Sequence, residues 1–298
     1  ENHLKKVLHH YSINDYSERL ELVEVDILDV NDVYDSVRNI EHVYHAAAMV
    51  SFTPHERNLM WKVNVEGTAN LLNAAIQLGV KRFCHVSSVA SIGRDPGGEM
   101  STESSEFEEA PHVSPYSFTK YYAELEVRRA IAEGLDAFMV NPSVIVGPGL
   151  EGESSMAMVD KVRKGITVYP PGTAAIVDAR DVADALINGS EMAATGNRYL
   201  LVGEHLPFKE LFGTISSISG VKPPSRPVPP WALKTVSVIE SARTLLFRSK
   251  PIVTKYTAHS ACSNYRYDNS KAIRELGVTF RTAGEAVENA LKFRNREE

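Results

Sequence analysis

The sequence predicts an α/β fold: a doubly wound parallel sheet with helices on both faces, followed by a smaller, mostly helical second region. The first observation is four apolar runs of strand length, 20–26 (LELVEVD), 41–48 (EHVYHAAA), 81–88 (KRFCHVSS) and 135–146 (LDAFMVNPSVIV), separated by helical stretches at 29–39, 64–79 and 115–133. Strands that alternate with helices assemble into a parallel sheet buried on both sides. The second observation is a change of pattern beyond residue 148, to helices at 155–164, 208–219, 230–247 and 283–293 with proline-rich joins such as 221–231. The stretches 173–186 and 197–203 read as strands that rejoin the sheet. The first domain is therefore expected over 1–148 plus about 173–203, and the second over 149–172 plus 204–298.

The helix at 115–133 has the clearest boundaries. Ser114 is a capping residue, Pro115 occupies the first helical position, and Gly134 follows the last turn. Its register is thereby set, and Tyr116 and Lys120, four residues apart, share one face.

Composition excludes several classes of partner. A chain of 298 residues that is 43% hydrophobic has ample core material. Its formal charge of −6, with no long basic run, argues against nucleic acid and for a small-molecule client. Cys84 and Cys262 provide neither a disulfide framework nor metal-ligand spacing, which fits a reducing cytoplasm. No apolar run reaches the roughly 20 residues of a membrane span, and the charged opening ENHLKK has no signal-peptide pattern. The histidines show no metal-ligand pattern, and the acidic stretch 102–110 reads as a solvated loop over the site.

The Tyr116–Lys120 spacing has a chemical reason. A phenol with a pKa of about 10 is a poor acid–base group at neutral pH, and lowering it by ~3 units requires ~4 kcal/mol in favour of the phenolate. One ammonium at ~4 Å supplies about that much at an effective dielectric near 20. A surface tyrosine beside a solvated lysine is the plainer alternative. Ser88, where the apolar run 81–88 ends, is placed to bind the same substrate oxygen as the Tyr116 hydroxyl, though strand-end serines are also ordinary turn formers.

The ordered motifs VEVDILD, VYHAAA, NVEGTANLLNAA, FCHVSSVASIG, YSFTK, NPSVIVGPG and VDARDVADA resemble those of the extended short-chain dehydrogenases/reductases. This is the NAD-dependent epimerase/dehydratase family, and within it the dihydroflavonol-reductase-like and nucleotide-sugar-epimerase branch. The likeness runs from residue 20 to the end and implies a Rossmann-like fold that binds NAD or NADP. It implies Ser88, Tyr116 and Lys120 as the catalytic set, with Tyr116 the acid–base, Lys120 also on the nicotinamide ribose, and Asn64 as helper. It places Asp26 and Ile27 at the adenine, Ala46, Ala47, Ala48 and Ser87 along the cofactor, and Pro142, Ser143, Val144 and Ile145 beside the nicotinamide. Met49, Ser51 and Val89, with Ser88 and Tyr116, would meet the substrate. From the residues alone, Asn64 also reads as a helix N-cap, Asp26 as a turn former, and the three alanines as tight helix–sheet packing.

One departure is plain. The family opens with a strand, a glycine-rich turn and a helix that holds the pyrophosphate, and nothing before residue 20 supplies it. The expectation is that roughly the first 40 or more residues of a full-length member precede this segment. NAD cannot be told from NADP without them. The GPGLEG at 147–152 matches the glycine pattern in form only. Pro148 removes a donor, Glu151 would set a carboxylate by phosphate, and the better reading is a hinge into the second domain.

Val89 and Ala90 stand where related dehydratases carry an acidic pair, so dehydration is disfavoured. Hydride transfer at a secondary alcohol or ketone remains. A carbonyl reduction on a small, fairly apolar substrate is preferred, from the aliphatic stretches 48–52, 155–162 and 231–247 and the scattering of Lys161, Arg163, Arg180 and Arg243. A nucleoside-diphosphate-sugar epimerase is the alternative, and a non-catalytic NAD(P)-binding regulator the alternative of another class. The resemblance also implies a homodimer through helices 64–79 and 115–133.

Overall fold

The computed structural model describes residues 2–94, 99–152, 155–247 and 253–295. The chain runs through α1 (Asn2–His10), α2 (Val30–Val37), β1 (His42–His45), α3 (Arg57–Trp61), a π-turn (Lys62–Glu66), α4 (Gly67–Leu78), β2 (Arg82–Val86) and β3 (Met100–Ser101). It continues with α5 (Pro115–Ala132), β4 (Ala137–Pro142), β5 (Val144–Val146), α6 (Met156–Arg163), β6 (Val168–Tyr169), β7 (Thr173–Asp178), α7 (Ala179–Met192) and β8 (Arg198–Leu201). Then follow β9 (Glu204–Pro207), α8 (Phe208–Ile218), β10 (Arg226–Pro227), α9 (Pro230–Phe247), α10 (Lys255–Ser260), β11 (Arg266–Tyr267), α11 (Ser270–Leu276) and α12 (Ala283–Asn295).

Four strands form the main sheet in the order β1-β2-β4-β8, all parallel. β4 is buried at every position, as a central strand covered on both faces requires. One face carries Phe83, Ala137 and Met139 against Val33, Leu72, Ala75, Val127 and Ala130 of α2, α4 and α5. The other carries Cys84, Phe138 and Val140 against Val182 and Ala185 of α7 and Ala272 and Leu276 of α11. A second lobe packs α6, α8 and α12 on β5 and β7 around Val159, Ile176, Leu211, Ile215, Val287 and Ala290. The cap read at Ser114 is present, Ser114 accepting from the Ser117 amide at the start of α5; Asp29, not singled out from the sequence, caps α2 by accepting from the amides of Asn31 and Asp32.

Three expectations are corrected. Residues 20–26 form no strand: among the described residues they have no ladder partner, and Leu22 and Val23 are 55% and 63% exposed. An alternating apolar pattern needs a neighbouring strand and a surface to pack on before it becomes a strand. Residues 173–178 do not rejoin the main sheet. As β7 they pair parallel with β5 and antiparallel with β9 in a separate three-stranded sheet. Both edges of β4 are already taken by β2 and β8, so the main sheet has no vacancy there, whereas 198–201 does join it as β8. The run 135–146 accordingly splits at Ser143, β4 in one sheet and β5 in the other.

The third correction concerns the aliphatic stretches expected to line the substrate site. Met156, Val159 and Val162 of α6 are core of the second lobe. On α9 the polarity is reversed: Trp231, Val238 and Ile239 are exposed at 70%, 68% and 60%, while Ser237 and Thr244 are buried. Helix α1, not foreseen from the sequence, reaches α12 through His10 Nε2 and Asn289 Oδ1 at 2.9 Å.

Candidate active site

The site is built where β2 ends and α5 begins. Ser88 follows β2 and caps the short turn Val89–Ser91, its Oγ accepting from the Ala90 amide at 3.1 Å. Tyr116 is the second residue of α5 and is half-buried. Burial pushes its phenol above the ordinary value, and a hydrogen bond with the Ser88 side chain opposes that rise. The two hydroxyls thus stand together at the rim of the sheet.

Lys120 lies one helical turn behind and is 2% exposed. Its Nζ donates to the main-chain carbonyl of Val86 at 2.7 Å. Burial lowers it to about 8, and the charge of Glu124 resists that fall. The expected downward pull of Lys120 on the Tyr116 phenol is therefore corrected: burial dominates the phenol, and Ser88 provides the opposing contact. The ammonium, itself desolvated, is turned onto a carbonyl.

Asn64 is no N-cap. It sits in the π-turn inside the continuous helical run 57–78, is 1% exposed, and forms a clamp. Its Oδ1 accepts from the Met49 amide at 2.7 Å, while Nδ2 donates to the Met49 carbonyl at 2.8 Å and to Thr119 Oγ1 at 2.9 Å. Thr119 Oγ1 in turn donates to the Tyr116 carbonyl at 2.8 Å. Inserting a π-turn re-aims one side chain within a helix, and here that side chain ties the segment after β1 to the start of α5.

The other expected residues divide. Ala46, Ala47 and Ala48 are exposed at the carboxyl end of β1, a strip of backbone without side-chain bulk. Ser87 is buried and donates to Glu124 Oε1 at 2.5 Å, facing inward. Pro142 is buried, the Ser143 hydroxyl is buried without a partner among the described residues, Val144 is 39% exposed and Ile145 half-buried. Asp26 is exposed and accepts from the Leu28 amide at 2.9 Å. Ile27 packs against Gly67, at the start of α4. Ser51 donates to Glu56 Oε2 at 2.5 Å, away from Ser88, and Met49 and Val89 are half-buried.

A cavity of about 410 Å³ lies between the turn after Ser88 and the start of α5, walled by Ile92, Arg94, Ser105, Glu106, His112 and Val113 among others. Its walls carry charges of both signs. Gly93 lets its far wall close in: a Cβ there would collide with the Glu106 carbonyl oxygen.

Sequence reasoning missed a buried polar layer under this rim: Glu124, Asn141, Arg198, His45 and His85. The available signal was spacing, since Glu124 continues the four-residue step of Tyr116 and Lys120. The stretch 147–152 leads from β5 into the second lobe, and its Gly152 amide donates to Asp160 Oδ2 at 2.8 Å, so that donor is already taken.

The exposed small-residue strip, the open Val144 and the unpartnered Ser143 hydroxyl fit the nicotinamide half of a dinucleotide. Among the described residues no glycine-rich turn meets a helix at the sheet to hold a pyrophosphate.

The fold and its rim define the class of NAD(P)-dependent oxidoreductases and epimerases. The chain belongs to the NAD dependent epimerase/dehydratase family, whose model matches residues 3–201. It is 29% identical over 281 residues to sterol demethylase protein B of Methylococcus capsulatus, covering 91% of this chain and 84% of that one. It is 27% identical over 266 residues to a Synechocystis sp. protein provisionally named a dihydroflavonol 4-reductase, covering 87% and 78%. The crystal structure of gox2253 superposes with a TM-score of 0.80 at 30% identity, over 95% of this chain and 87% of the other. The fold is also that of DesIV, a dTDP-glucose 4,6-dehydratase from Streptomyces venezuelae, with a TM-score of 0.74 at 21% identity, over 96% and 82%. No helix among the described residues is long and apolar enough to cross a membrane.

Proposed function

We propose that this chain is an NAD(P)H-dependent carbonyl reductase, acting at a secondary alcohol or ketone of a small substrate that carries no diphosphate. The observation that carries the reading is the Tyr116–Ser88 hydroxyl pair at the sheet rim, with Lys120 one turn behind. Ser88 orients the substrate oxygen. Tyr116, whose pKa is raised, keeps its proton at neutral pH and delivers it to that oxygen as charge develops there. The bound dinucleotide supplies the hydride. Lys120 would hold its ribose, Ala46, Ala47 and Ala48 would border it, and Pro142, Ser143, Val144 and Ile145 would pass beside the nicotinamide; Asp26 and Ile27 are the candidates for the adenine end.

Two features weigh against a nucleotide sugar and against dehydration. Arg94 lies over the Tyr265 ring at 4.8 Å, Arg180 pairs with Asp178, and Arg198 pairs with Glu124, so these guanidiniums are engaged within the protein. Val89 and Ala90 place no carboxylate next to Ser88. The names of the two relatives suggest alicyclic or aromatic substrates.

The test is NADH and NADPH oxidation with a dihydroflavonol and a 3-ketosteroid, beside UDP-glucose epimerisation. Turnover of a carbonyl that disappears in Tyr116→Phe while nucleotide binding persists supports the reading. Epimerisation alone would replace it, and tight nucleotide binding with no turnover on any of them would make the protein a sensor. A dimer through α4 and α5 belongs to the same reading. Leu125, 38% exposed on α5, is a candidate contact, and sedimentation equilibrium tests it.

A further inference from the structure

Glu124 lies on α5 one turn beyond Lys120 and is 1% exposed. Three groups converge on its Oε1 at 2.5 Å, Ser87 Oγ, Ser91 Oγ and Asn141 Nδ2, and Arg198 Nη1 meets Oε2 at 3.0 Å. Asn141 Nδ2 gives one proton to Glu124 and the other to the Ser88 carbonyl at 3.1 Å, Ser87 Oγ donates to Glu124, and the single proton of Ser91 Oγ is shared between Glu124 and the Ser88 carbonyl. With Ser87 and Asn141 donating to one oxygen and a guanidinium on the other, the group is a carboxylate. Burying it is tolerable because it is paired and fully bonded.

Three connections run outward from this anchor. Asn141 bonds the Ser88 carbonyl, and Ser91 Oγ lies 2.7 Å from the same oxygen. Lys120, four residues away, has its ammonium supported by the charge of Glu124. Arg198 continues to the loop beside the cavity, donating from Nε to the Glu103 carbonyl at 2.7 Å and from Nη2 to the Ser105 carbonyl at 3.2 Å.

We propose that Glu124 is a positioning residue of this site: its buried carboxylate fixes the Ser88 turn through Asn141, keeps the Lys120 ammonium charged, and through Arg198 ties both to the loop that walls the cavity. The inference rests on the assignment of Ser88, Tyr116 and Lys120 to the chemistry. The titratable and charged groups that act on Lys120 and Glu124 are His45 from β1, His85 from β2 and Arg198 from β8. Both histidines are held neutral by burial, so Glu124 is the anion of this set.

The test titrates Lys120 directly, by NMR of full-chain protein labelled with ¹³C at the lysine ε-carbon, the resonance being assigned by its loss in Lys120→Arg. The parent midpoint is expected at about 8. Glu124→Gln should lower it by about one pH unit, and Glu124→Asp, which keeps the charge, should not. If Glu124→Gln does not fold, the pair Glu124→Gln/Arg198→Met removes both charges together and should lower the midpoint in the same direction. An unchanged midpoint in either folded charge-removing variant, or the same fall in Glu124→Asp, overturns the proposal and leaves the catalytic assignment standing. Undiminished turnover in Tyr116→Phe overturns that assignment and leaves the Glu124–Lys120 coupling measurable.

Discussion

Lys120 Nζ donates to the Val86 carbonyl at 2.7 Å, so the ammonium on α5 is fastened to the last residue of β2, two positions before Ser88. Helix and strand end are thereby held in one register. Fastening a cation in a buried place has a cost: burial brings its pKa from 10.5 to about 8.

That cost predicts a pH dependence of stability. The folded protein releases this proton above about 8 while the unfolded chain keeps it to about 10.5, so the unfolded state binds more protons in that window and stability rises with pH across it. The contribution amounts to about 3 kcal/mol over the whole window. Urea unfolding between pH 7 and pH 10 should show this rise in the parent and a smaller one in Lys120→Met, which should also lack turnover. Parallel curves for the two proteins would refute it.

The neutral histidine pair predicts acid sensitivity. His45, bonded to Thr68 Oγ1 at 2.8 Å, is lowered by burial to about 3, and His85, whose ring nitrogens have no partner among the described residues, is lowered well below its ordinary value. The unfolded chain takes up protons below about 6.5 and the folded one does not, so each histidine removes about 1.4 kcal/mol of stability per pH unit as the pH falls below that value. His85→Leu should be neutral or stabilising at pH 7 and should flatten the acid limb in denaturant titrations at pH 7 and pH 5.

Arg82 predicts a structural loss without a catalytic one. Its guanidinium is buried, pairs with Asp136, donates to the carbonyls of Gly189 and Ala193 at the end of α7, and lies over the Phe138 ring at 4.9 Å. Arg82→Ala should lower the unfolding free energy by about 1–3 kcal/mol, because the buried carbonyls of Gly189 and Ala193 lose their donor. The KM of the folded fraction should stay unchanged, and calorimetry with kinetics separates the two effects.

Gly93→Ala tests whether the substrate enters the cavity, at a cost in stability as well. The added methyl has to displace the Glu106 main chain, which walls the cavity. A cost of about 1–3 kcal/mol is expected, with KM rising more than kcat falls. An unchanged KM would place the substrate elsewhere.

The alternation of strands and helices, and the cap at Ser114, were legible because they are local. The apolar period and a capping side chain act within a few residues. The four-residue step that puts Tyr116 and Lys120 on one face is equally local, and so is Glu124 behind them. What the sequence by itself determined was therefore the α/β class, the helix that carries the candidate acid–base pair, and the family.

Only the tertiary structure decided the rest. The run 20–26 reads as a strand and is none, since a strand exists only beside another. Residues 173–178 went to a second sheet because β4 already had both neighbours. The polar layer of Glu124, Asn141 and Arg198 joins residues 74 positions apart, and the ion pair that closes it exists only when β8 lies beside β4. The direction of the Tyr116 shift was decided by burial, which no spacing along the chain records.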